Sequence, residues 1–161
     1  MISYKNGNLL ESDCDIICHQ VNCQKVMGSG IAKQIREKWP IVYYTYCGLI
    51  EYYQDLGLVD DSSDLLGQMQ LIKTDDNYVA NFFSQDKYLP RNVCHTDYKA
   101  FRMCCIKLKE QIIGLNKNLT IGFPYKIGCG LAGGDWSIVE KIIEEEFKDY
   151  SVRIYKLKEE R

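Results

Sequence analysis

The sequence predicts an α/β protein with three layers, in which helices cover both faces of a mixed central sheet. Three observations support this prediction. Residues 15–22 form a nearly continuous apolar run, as expected of a strand that is buried on both faces of a sheet. Segments with strand and helix periodicity alternate along the chain, and one hairpin interrupts them. The length of 161 residues is typical of one domain, so we expect residues 1–161 to form a single domain.

Each predicted element has its own signal in the sequence. The helix over residues 31–39 follows from Ile31, Ile35 and Trp39, which recur at every fourth position before Pro40 ends it. Further helices are predicted over residues 41–56, 98–112 and 136–147, the last two beginning after the capping residues Asp97 and Asp135. Strands are predicted over residues 2–4, 15–22, 68–73, 78–84, 119–125 and 152–157, of which the third and fourth form the hairpin.

Charge and hydropathy exclude several classes of function. The 20 Lys and Arg residues against 22 Asp and Glu give a formal charge of −2, whereas proteins that bind duplex nucleic acid by bulk charge have basic surfaces. No apolar run approaches the length of about 20 residues that a membrane helix needs. The N-terminus lacks the layout of a signal peptide. We therefore predict no membrane association, no binding of duplex nucleic acid and a cytoplasmic location.

The eight cysteines do not have the spacing of a metal site, because no C-x-x-C pair occurs. Cys14, Cys18 and Cys23 surround His19, which leaves a zinc site as an alternative. In a strand, however, Cys18 and His19 point to opposite faces of the sheet. The sequence therefore predicts buried thiols and no metal.

Two segments rich in glycine each follow a predicted strand and precede a predicted helix. They read Val26-Met27-Gly28-Ser29-Gly30-Ile31 and Gly128-Cys129-Gly130-Leu131-Ala132-Gly133-Gly134-Asp135. Glycine lets backbone N–H groups approach an anion closely, and a helix N-terminus adds partial positive charge. Two such loops at the carboxyl ends of strands in one sheet predict a crevice for two phosphates. The nucleotide motifs G-x-x-x-x-G-K-[ST] and G-x-G-x-x-G are absent, which disfavours kinases, ATPases and Rossmann dehydrogenases.

With Gly7-Asn8-Leu9-Leu10 and Val21-Asn22-Cys23, these two strings resemble the macrodomain family, whose members bind ADP-ribose. The second string, continued to Trp136, is similar to one branch of that family. The branch contains the terminal ADP-ribose protein glycohydrolase, antitoxins that remove ADP-ribose from DNA, and proteins that process ADP-ribose-1''-phosphate. The resemblance implies a sheet of about six strands, ADP-ribose or an ADP-ribosylated substrate as the partner, and no cofactor.

The resemblance also implies which residues contact the ligand. The loop around Gly28 would wrap the pyrophosphate and distal ribose, and the loop around Gly128 would close over the other side. Asn22 would face the distal ribose, and Asn8 would lie near the adenine, where many macrodomains carry Asp. The implied ligand-binding residues are Asn8, Leu9, Asn22, Met27, Gly28, Ser29, Gly30, Ile31, Gly128, Cys129, Gly130, Leu131 and Ala132.

The catalytic residues of the branch are only partly present in this chain. Gln85 stands where the glycohydrolases carry a lysine, and Lys87 follows two residues later. Ala132 stands where the human-type enzyme has an acid, which leaves Asp135 as the one carboxylate of that loop. Asp135 and Lys87 are therefore the predicted catalytic residues, while Asp135 at the start of a helix also fits a capping role.

The sequence thus predicts an ADP-ribose-binding macrodomain that hydrolyses an ADP-ribosyl linkage to protein or nucleic acid. A binding module without turnover is the first alternative, and the departures at positions 85 and 132 favour it. A phosphatase acting on ADP-ribose-1''-phosphate is the second alternative.

Overall fold

Six strands lie side by side in the part of the chain that the computed structural model describes, residues 1–115 and 118–158. They are β1 (Ile2–Asn6), β2 (Ile16–Val21), β3 (Met69–Lys73), β4 (Tyr78–Phe83), β5 (Thr120–Pro124) and β6 (Ser151–Lys156). Their order in the sheet is β1-β6-β5-β2-β4-β3. All neighbouring pairs are parallel except β3 and β4, which form the predicted antiparallel hairpin. The prediction of a mixed sheet is confirmed.

In the described part of the chain, four α-helices cover the two faces of this sheet. They are α1 (Gly30–Lys38), α2 (Pro40–Asp55), α3 (Tyr98–Ile112) and α4 (Trp136–Glu146). The alternation of side chains along β2 shows how the layers form, because Ile17 and Val21 pack with α1 and α2 while Ile16 and Cys18 pack with α3 and α4. Burial of β2 on both faces confirms the three-layer prediction.

The boundaries of some elements differ from the predictions by one or two residues. α1 ends at Lys38, and Trp39 lies between the two helices with its N–H bonded to the Ile35 carbonyl. In the described ranges, two short 3₁₀ helices, Leu9–Glu11 and Ser62–Leu65, lie in segments for which no helix or strand is predicted. The side chains of Asn8 and Asp61 cap the starts of these two helices by accepting backbone N–H groups. Such short helices have no periodic hydrophobic pattern by which the sequence could predict them.

Cys14, Cys18, Cys23, Cys104 and Cys105 are buried, as predicted for apolar thiols, and burial raises the pKa of the Cys23 and Cys104 thiols to about 12. Cys47 and Cys129 are only partly buried and Cys94 is exposed, so the prediction of buried thiols is wrong for these three residues. Within the described ranges, no cluster of three His, Cys, Asp or Glu side chains is arranged to hold a metal ion. In the same ranges, no helix is both long and apolar enough to cross a bilayer.

A row of polar side chains crosses the sheet beneath α2. His19 on β2 bonds through Nε2 to Asn81 Oδ1 on β4, and Asn81 Nδ2 donates to Gln70 Oε1 on β3 at 3.1 Å. Gln70 Nε2 then donates to the Thr45 carbonyl of α2 at 3.0 Å. Because the Asn81 amide nitrogen donates to Gln70, its oxygen is the acceptor, and this assigns the His19 proton to Nε2. His19 Nδ1 is buried without a hydrogen-bond partner.

Stability is expected to fall in mild acid because of His19. Burial lowers its pKa in the folded protein to about 4, against an ordinary value of 6.5, so unfolding takes up a proton between these pH values. The contribution of the neutral, buried His19 to the free energy of unfolding is fully present above pH 6.5 and is lost as the pH falls toward 4. For one buried group with this shift, the free energy of unfolding changes by about 3 kcal/mol.

The measurement is urea denaturation of wild type and His19→Gln at several pH values. His19→Gln should flatten the dependence of stability on pH between 4 and 6.5. His95→Gln removes the other histidine of the chain, which lies outside the polar row, and serves as the matched control. An identical slope in wild type and His19→Gln would contradict the burial argument.

Candidate ligand cleft

A cleft with a volume of about 880 Å³ lies across the carboxyl ends of the parallel strands. This volume is in the usual range for a site that encloses a small molecule. Its walls come from segments that follow β1, β2, β4, β5 and β6, which is the position expected for ligands of open α/β sheets. The lining of the cleft includes Asn8, Leu9, Gln20, Asn22, Met27, Gly28, Ser29, Gly30, Ile31, Gln85, Arg91, Tyr125, Lys126, Gly128, Gly130, Leu131, Ala132, Tyr155 and Lys156.

The chain that leaves β2 is held by the hydroxyl of Tyr46, which is fully buried on α2. This hydroxyl lies 2.7 Å from the Asn22 carbonyl oxygen and 2.8 Å from Asn22 Oδ1, and it accepts the Val26 N–H at 3.2 Å. Asn22 Oδ1 also accepts the Gln24 N–H, and its Nδ2 donates to the Val26 carbonyl at 2.8 Å. Burial raises the pKa of Tyr46, so the hydroxyl remains a donor. Together these bonds set the path of the first glycine loop.

The first glycine loop brings the start of α1 to the cleft. Gly28, Ser29 and Gly30 are exposed and line it. Ser29 is the N-cap of α1 but makes no side-chain capping bond, so it leaves the first N–H groups of the helix open. Gly30 has φ +56°, a left-handed conformation that favours glycine. Open N–H groups at a helix N-terminus make this wall suited to an anion.

The second glycine loop is held by a network of amide and hydroxyl groups around Gln20. Gln20 Nε2 donates to Gln85 Oε1 at 2.8 Å and to Thr96 Oγ1 at 3.0 Å, while Gln20 Oε1 accepts the Ser84 hydroxyl at 2.6 Å. Thr96 Oγ1 in turn donates to the Gly128 carbonyl at 2.6 Å. The end of β2 therefore positions the loop that follows β5.

Gly128 is required at this point of the loop. Its φ is +73°, and a Cβ at this position would lie 2.9 Å from Gln20 Oε1 and 3.0 Å from Thr96 Oγ1. Its carbonyl also accepts the Gly134 N–H at 2.8 Å, which closes the loop on itself. The Ala132 carbonyl accepts the His95 N–H at 2.7 Å and thereby joins this loop to the segment that follows β4.

The charged side chains that line the cleft in the described part of the chain are all cationic. Arg91, Lys126 and Lys156 are the charged side chains of its lining, and no carboxylate belongs to the lining among the residues that the structure describes. The Nζ atoms of Lys126 and Lys156 lie 5.5 and 5.2 Å from the centre of the Tyr125 ring, within range of cation–π contacts. This electrostatic pattern favours an anionic ligand.

The two ends of the cleft differ in chemistry because of the order of the strands. Tyr125 and Tyr155 line the end formed by β5 and β6, and Asn22, Gln20 and Gln85 line the end formed by β2 and β4. The two glycine loops follow β2 and β5, which are neighbours in the middle of the sheet. We call the end with Tyr125 and Tyr155 the aromatic end and the end with Asn22, Gln20 and Gln85 the amide end, and the two glycine loops lie between them. Tyr88, which follows β4, also lines the cleft.

Comparisons with known proteins agree with this architecture, although no family model matches the sequence. The DNA ADP-ribosyl glycohydrolase of Mycobacterium tuberculosis is 41% identical over 152 residues, which cover 92% of this chain and 39% of that protein. The ADP-ribose 1''-phosphate phosphatase of Saccharomyces cerevisiae is 27% identical, and the match covers 97% and 98% of the two chains. The solved macrodomain of Mycobacterium tuberculosis DarG has a TM-score of 0.75 at 27% identity, with 96% and 97% covered. The chain has the macrodomain fold.

Within this macrodomain fold, twelve of the thirteen predicted ligand-binding residues line the cleft, and Cys129 does not. Cys129 packs with the side chains beneath α3 and α4, and its Sγ donates to the Ile127 carbonyl at 3.3 Å. Burial raises the pKa of this thiol to about 11. Asn8 lines the cleft and also caps the first 3₁₀ helix by accepting the Leu10 N–H.

The structure places the two predicted catalytic residues outside the lining of the macrodomain cleft. Asp135 is the N-cap of α4, and its Oδ1 accepts the Ser137 hydroxyl at 2.6 Å and the Ser137 N–H at 2.9 Å. These bonds, the hydroxyl first, hold the pKa of the Asp135 carboxyl below its ordinary value. Lys87 is exposed, and its carbonyl accepts Gln85 Nε2 at 2.9 Å. Gln85 does line the cleft, with its amide bonded to Gln20 and Lys87.

Sequence reasoning missed Gln20, Tyr125, Lys126, Tyr155 and Lys156 as residues of the macrodomain cleft. The available signal was their position, since each lies within two residues of the carboxyl end of a predicted strand. The same rule that places the glycine loops at this edge of the sheet applies to them.

Tyr46→Phe should lower the free energy of unfolding by about 1–3 kcal/mol, because the Val26 N–H and the Asn22 oxygens lose a buried partner. Denaturant unfolding measures the loss. Tyr44→Phe on the same helix is the matched control, because Tyr44 is 68% exposed and its hydroxyl has no place in this cluster. Equal stability of the two variants would show that the Tyr46 hydroxyl does not hold the first loop.

Proposed function

We propose that this chain binds ADP-ribose in the cleft and hydrolyses an ADP-ribosyl linkage. One observation carries the proposal: two glycine loops flank a cleft whose charged lining residues are all cationic. A diphosphate suits such a site, because backbone N–H groups and a helix N-terminus stabilise its charge. The names of the mycobacterial and yeast relatives both refer to ADP-ribose, which supports the same ligand.

The chemistry of the two ends suggests the direction of the ligand. An adenine ring gains most from the aromatic end, where Tyr125 and Tyr155 offer stacking surface. The distal ribose fits the amide end, because amides both donate to and accept from hydroxyl groups. Asn22 Nδ2 has a second hydrogen beyond the one that it donates to Val26, and this hydrogen is placed to serve a ribose hydroxyl.

Hydrolysis at the anomeric carbon of the distal ribose passes through a state with oxocarbenium-like positive charge. Since no carboxylate lines the cleft in the described part of the chain, the contribution of Asn22, Gln20 and Gln85 is to fix the ribose beside a water molecule. Correct orientation of reacting groups alone lowers a barrier substantially. Asp135 then acts as the cap of α4.

A binding module without turnover is the second candidate. The specific observation in its favour is that Gln85, at the amide end, is a neutral side chain whose amide is already bonded to Gln20 and Lys87. The yeast relative supports a phosphatase acting on ADP-ribose-1''-phosphate as a third candidate.

ADP-ribose should bind in the micromolar range, about −8 kcal/mol, and more tightly than AMP, which lacks the second phosphate and ribose. Gly30→Asp should weaken binding at least tenfold relative to Gly30→Asn, or about 1.4 kcal/mol, because its carboxylate faces the diphosphate. Both side chains tolerate the left-handed φ of +56°, and no atom lies within 4 Å of the added Cβ.

Isothermal titration calorimetry on the two Gly30 variants and wild type gives this comparison, with thermal unfolding as the check on folding. Equal affinities for Gly30→Asp and Gly30→Asn would place the phosphates away from this loop. Absence of ADP-ribose binding to wild type would contradict the proposed function.

Turnover is measured with ADP-ribosylated DNA, ADP-ribosylated protein and ADP-ribose-1''-phosphate. Release of ADP-ribose from either macromolecule supports the hydrolase, and release of inorganic phosphate supports the phosphatase. Binding of ADP-ribose without release from any of the three substrates supports the binding module.

Asp135→Asn should leave turnover and the thermal midpoint unchanged, because asparagine caps a helix as well as aspartate. Asp135→Ala should lower the midpoint while turnover per folded molecule is kept, since the bonds to Ser137 are lost. A fall of about a hundredfold in turnover with Asp135→Asn is the size expected for an acid–base group and would restore Asp135 to catalysis.

A further inference from the structure

The side of α2 that points away from the sheet carries large apolar side chains that are exposed. Ile41, Tyr44 and Tyr52 are 51%, 68% and 58% exposed. With Gly48 they recur at intervals of three and four residues, so they share one side of the helix, which we call the outer face of α2. Residues 40–50 include no charged side chain. A helix on the surface of a monomer normally has charged residues on its solvent side, so we expect another molecule to cover this face.

Gly48 stands in the middle of the outer face, at a position where the fold of a single copy would accept alanine. Gly48 lies within α2 and does not have a positive φ. Among the residues that the structure describes, no atom lies within 4 Å of a Cβ added there. Glycine inside a helix also lowers stability relative to alanine. What glycine does provide is a flat place where the backbone of a second helix can approach closely.

The tyrosines of the outer face are placed evenly on the two sides of Gly48. Tyr44 and Tyr52 are each four residues from it, or about 6 Å along the helix axis. In an antiparallel pair of α2 helices with a two-fold axis at Gly48, each Tyr44 lies opposite Tyr52 of the partner subunit. The outer face is therefore complementary to itself. Tyrosine is also among the residues that contribute most to the binding energy of protein interfaces.

The charges at the two ends of the outer face are opposite in sign. At its start, the Arg36 guanidinium lies 3.9 Å from the centre of the Tyr43 ring, which is 6.1 Å from the Tyr44 ring. At its end, Asp55 is exposed and is the last residue of α2, where the helix dipole disfavours a carboxylate. An antiparallel pair brings the start of each α2 to the end of the other. Arg36 of one copy then lies near Asp55 of the other and compensates its charge.

We propose that the outer face of α2 is the interface of a homodimer, in which two α2 helices pack antiparallel across Gly48 and Arg36 of each copy pairs with Asp55 of the other. Glu51, the other acid of α2, is paired with Lys25 of its own chain at 3.6 Å, so Asp55 is the acid that faces the partner. The interface lies on the side of α2 away from the sheet and does not depend on what the cleft binds.

Analytical ultracentrifugation over a range of concentrations tests the dimer. The mass of wild type should rise from that of one chain, 18.7 kDa, to twice that value. Gly48→Glu should raise the Kd of the dimer by about tenfold or more, because it places two carboxylates together at the two-fold axis. Gly114→Glu is the matched control. A Cβ at Gly114 also meets no described atom within 4 Å, but Gly114 follows α3 on the other side of the sheet, so this variant should keep the wild-type Kd.

A charge exchange tests the antiparallel arrangement. Arg36→Asp and Asp55→Arg should each weaken the dimer, because each places two like charges opposite one another. The double variant should recover most of the lost affinity, since it restores the pair with its charges reversed. Thermal unfolding of each variant checks that the chain still folds.

Three results would overturn the proposal. The first is a wild-type protein with the mass of one chain at every concentration up to the millimolar range. The second is a dimer that Gly48→Glu weakens no more than Gly114→Glu does, which would place the interface on another surface. The third is a double charge variant that binds no more tightly than the weaker single variant. This third result decides the matter even if Gly48→Glu does not fold.

Discussion

The hydrogen bonds at the end of β2 determine the shape of the cleft. Gln20 bonds to groups that follow β4 and, through Thr96, to the loop that follows β5. Two residues later, Asn22 and the Tyr46 hydroxyl direct the chain into the first glycine loop. β2 lies between β5 and β4 in the sheet, so one strand end reaches both walls. Amide side chains suit this role because each one donates and accepts.

Much of this architecture is accessible from the sequence because its signals are local. The apolar run before Asn22 identifies a buried strand, and the four-residue interval between Ile31 and Ile35 identifies an amphipathic helix. Neither prediction requires knowledge of the elements that pack against that strand or helix. Glycine content marks both loops. The rule that parallel strands end at one edge then brings the loops together. These signals predicted the layers of the fold and the two glycine-loop walls of the cleft.

The direction of individual side chains within the loops was not accessible in the same way. Cys129 stands between two glycines that line the cleft, yet it packs toward α3 and α4, because loops lack the regular alternation of a strand. Asp135 differs in this respect, because its position directly before a predicted helix already predicts the cap that the structure shows. Position at the end of a predicted strand is the one signal that Tyr125 and Lys126 carry, and the pairing of β5 with β6 is what brings Lys156 beside them.

The internal bonding of the two loops has a consequence for the kinetics of ligand capture. Gln20, Thr96 and Tyr46 hold the loop backbones in a binding-ready form by contacts within the chain, so ordering of the loops belongs to folding rather than to association. We therefore expect association without a slow rearrangement step, and we expect differences in affinity among related ligands to arise in their residence times. Substitutions that break hydrogen bonds of the amide network should let the loops open in the free protein. The loops would then have to be ordered again when a ligand binds, so the free energy of unfolding and the affinity for ligand should decrease together.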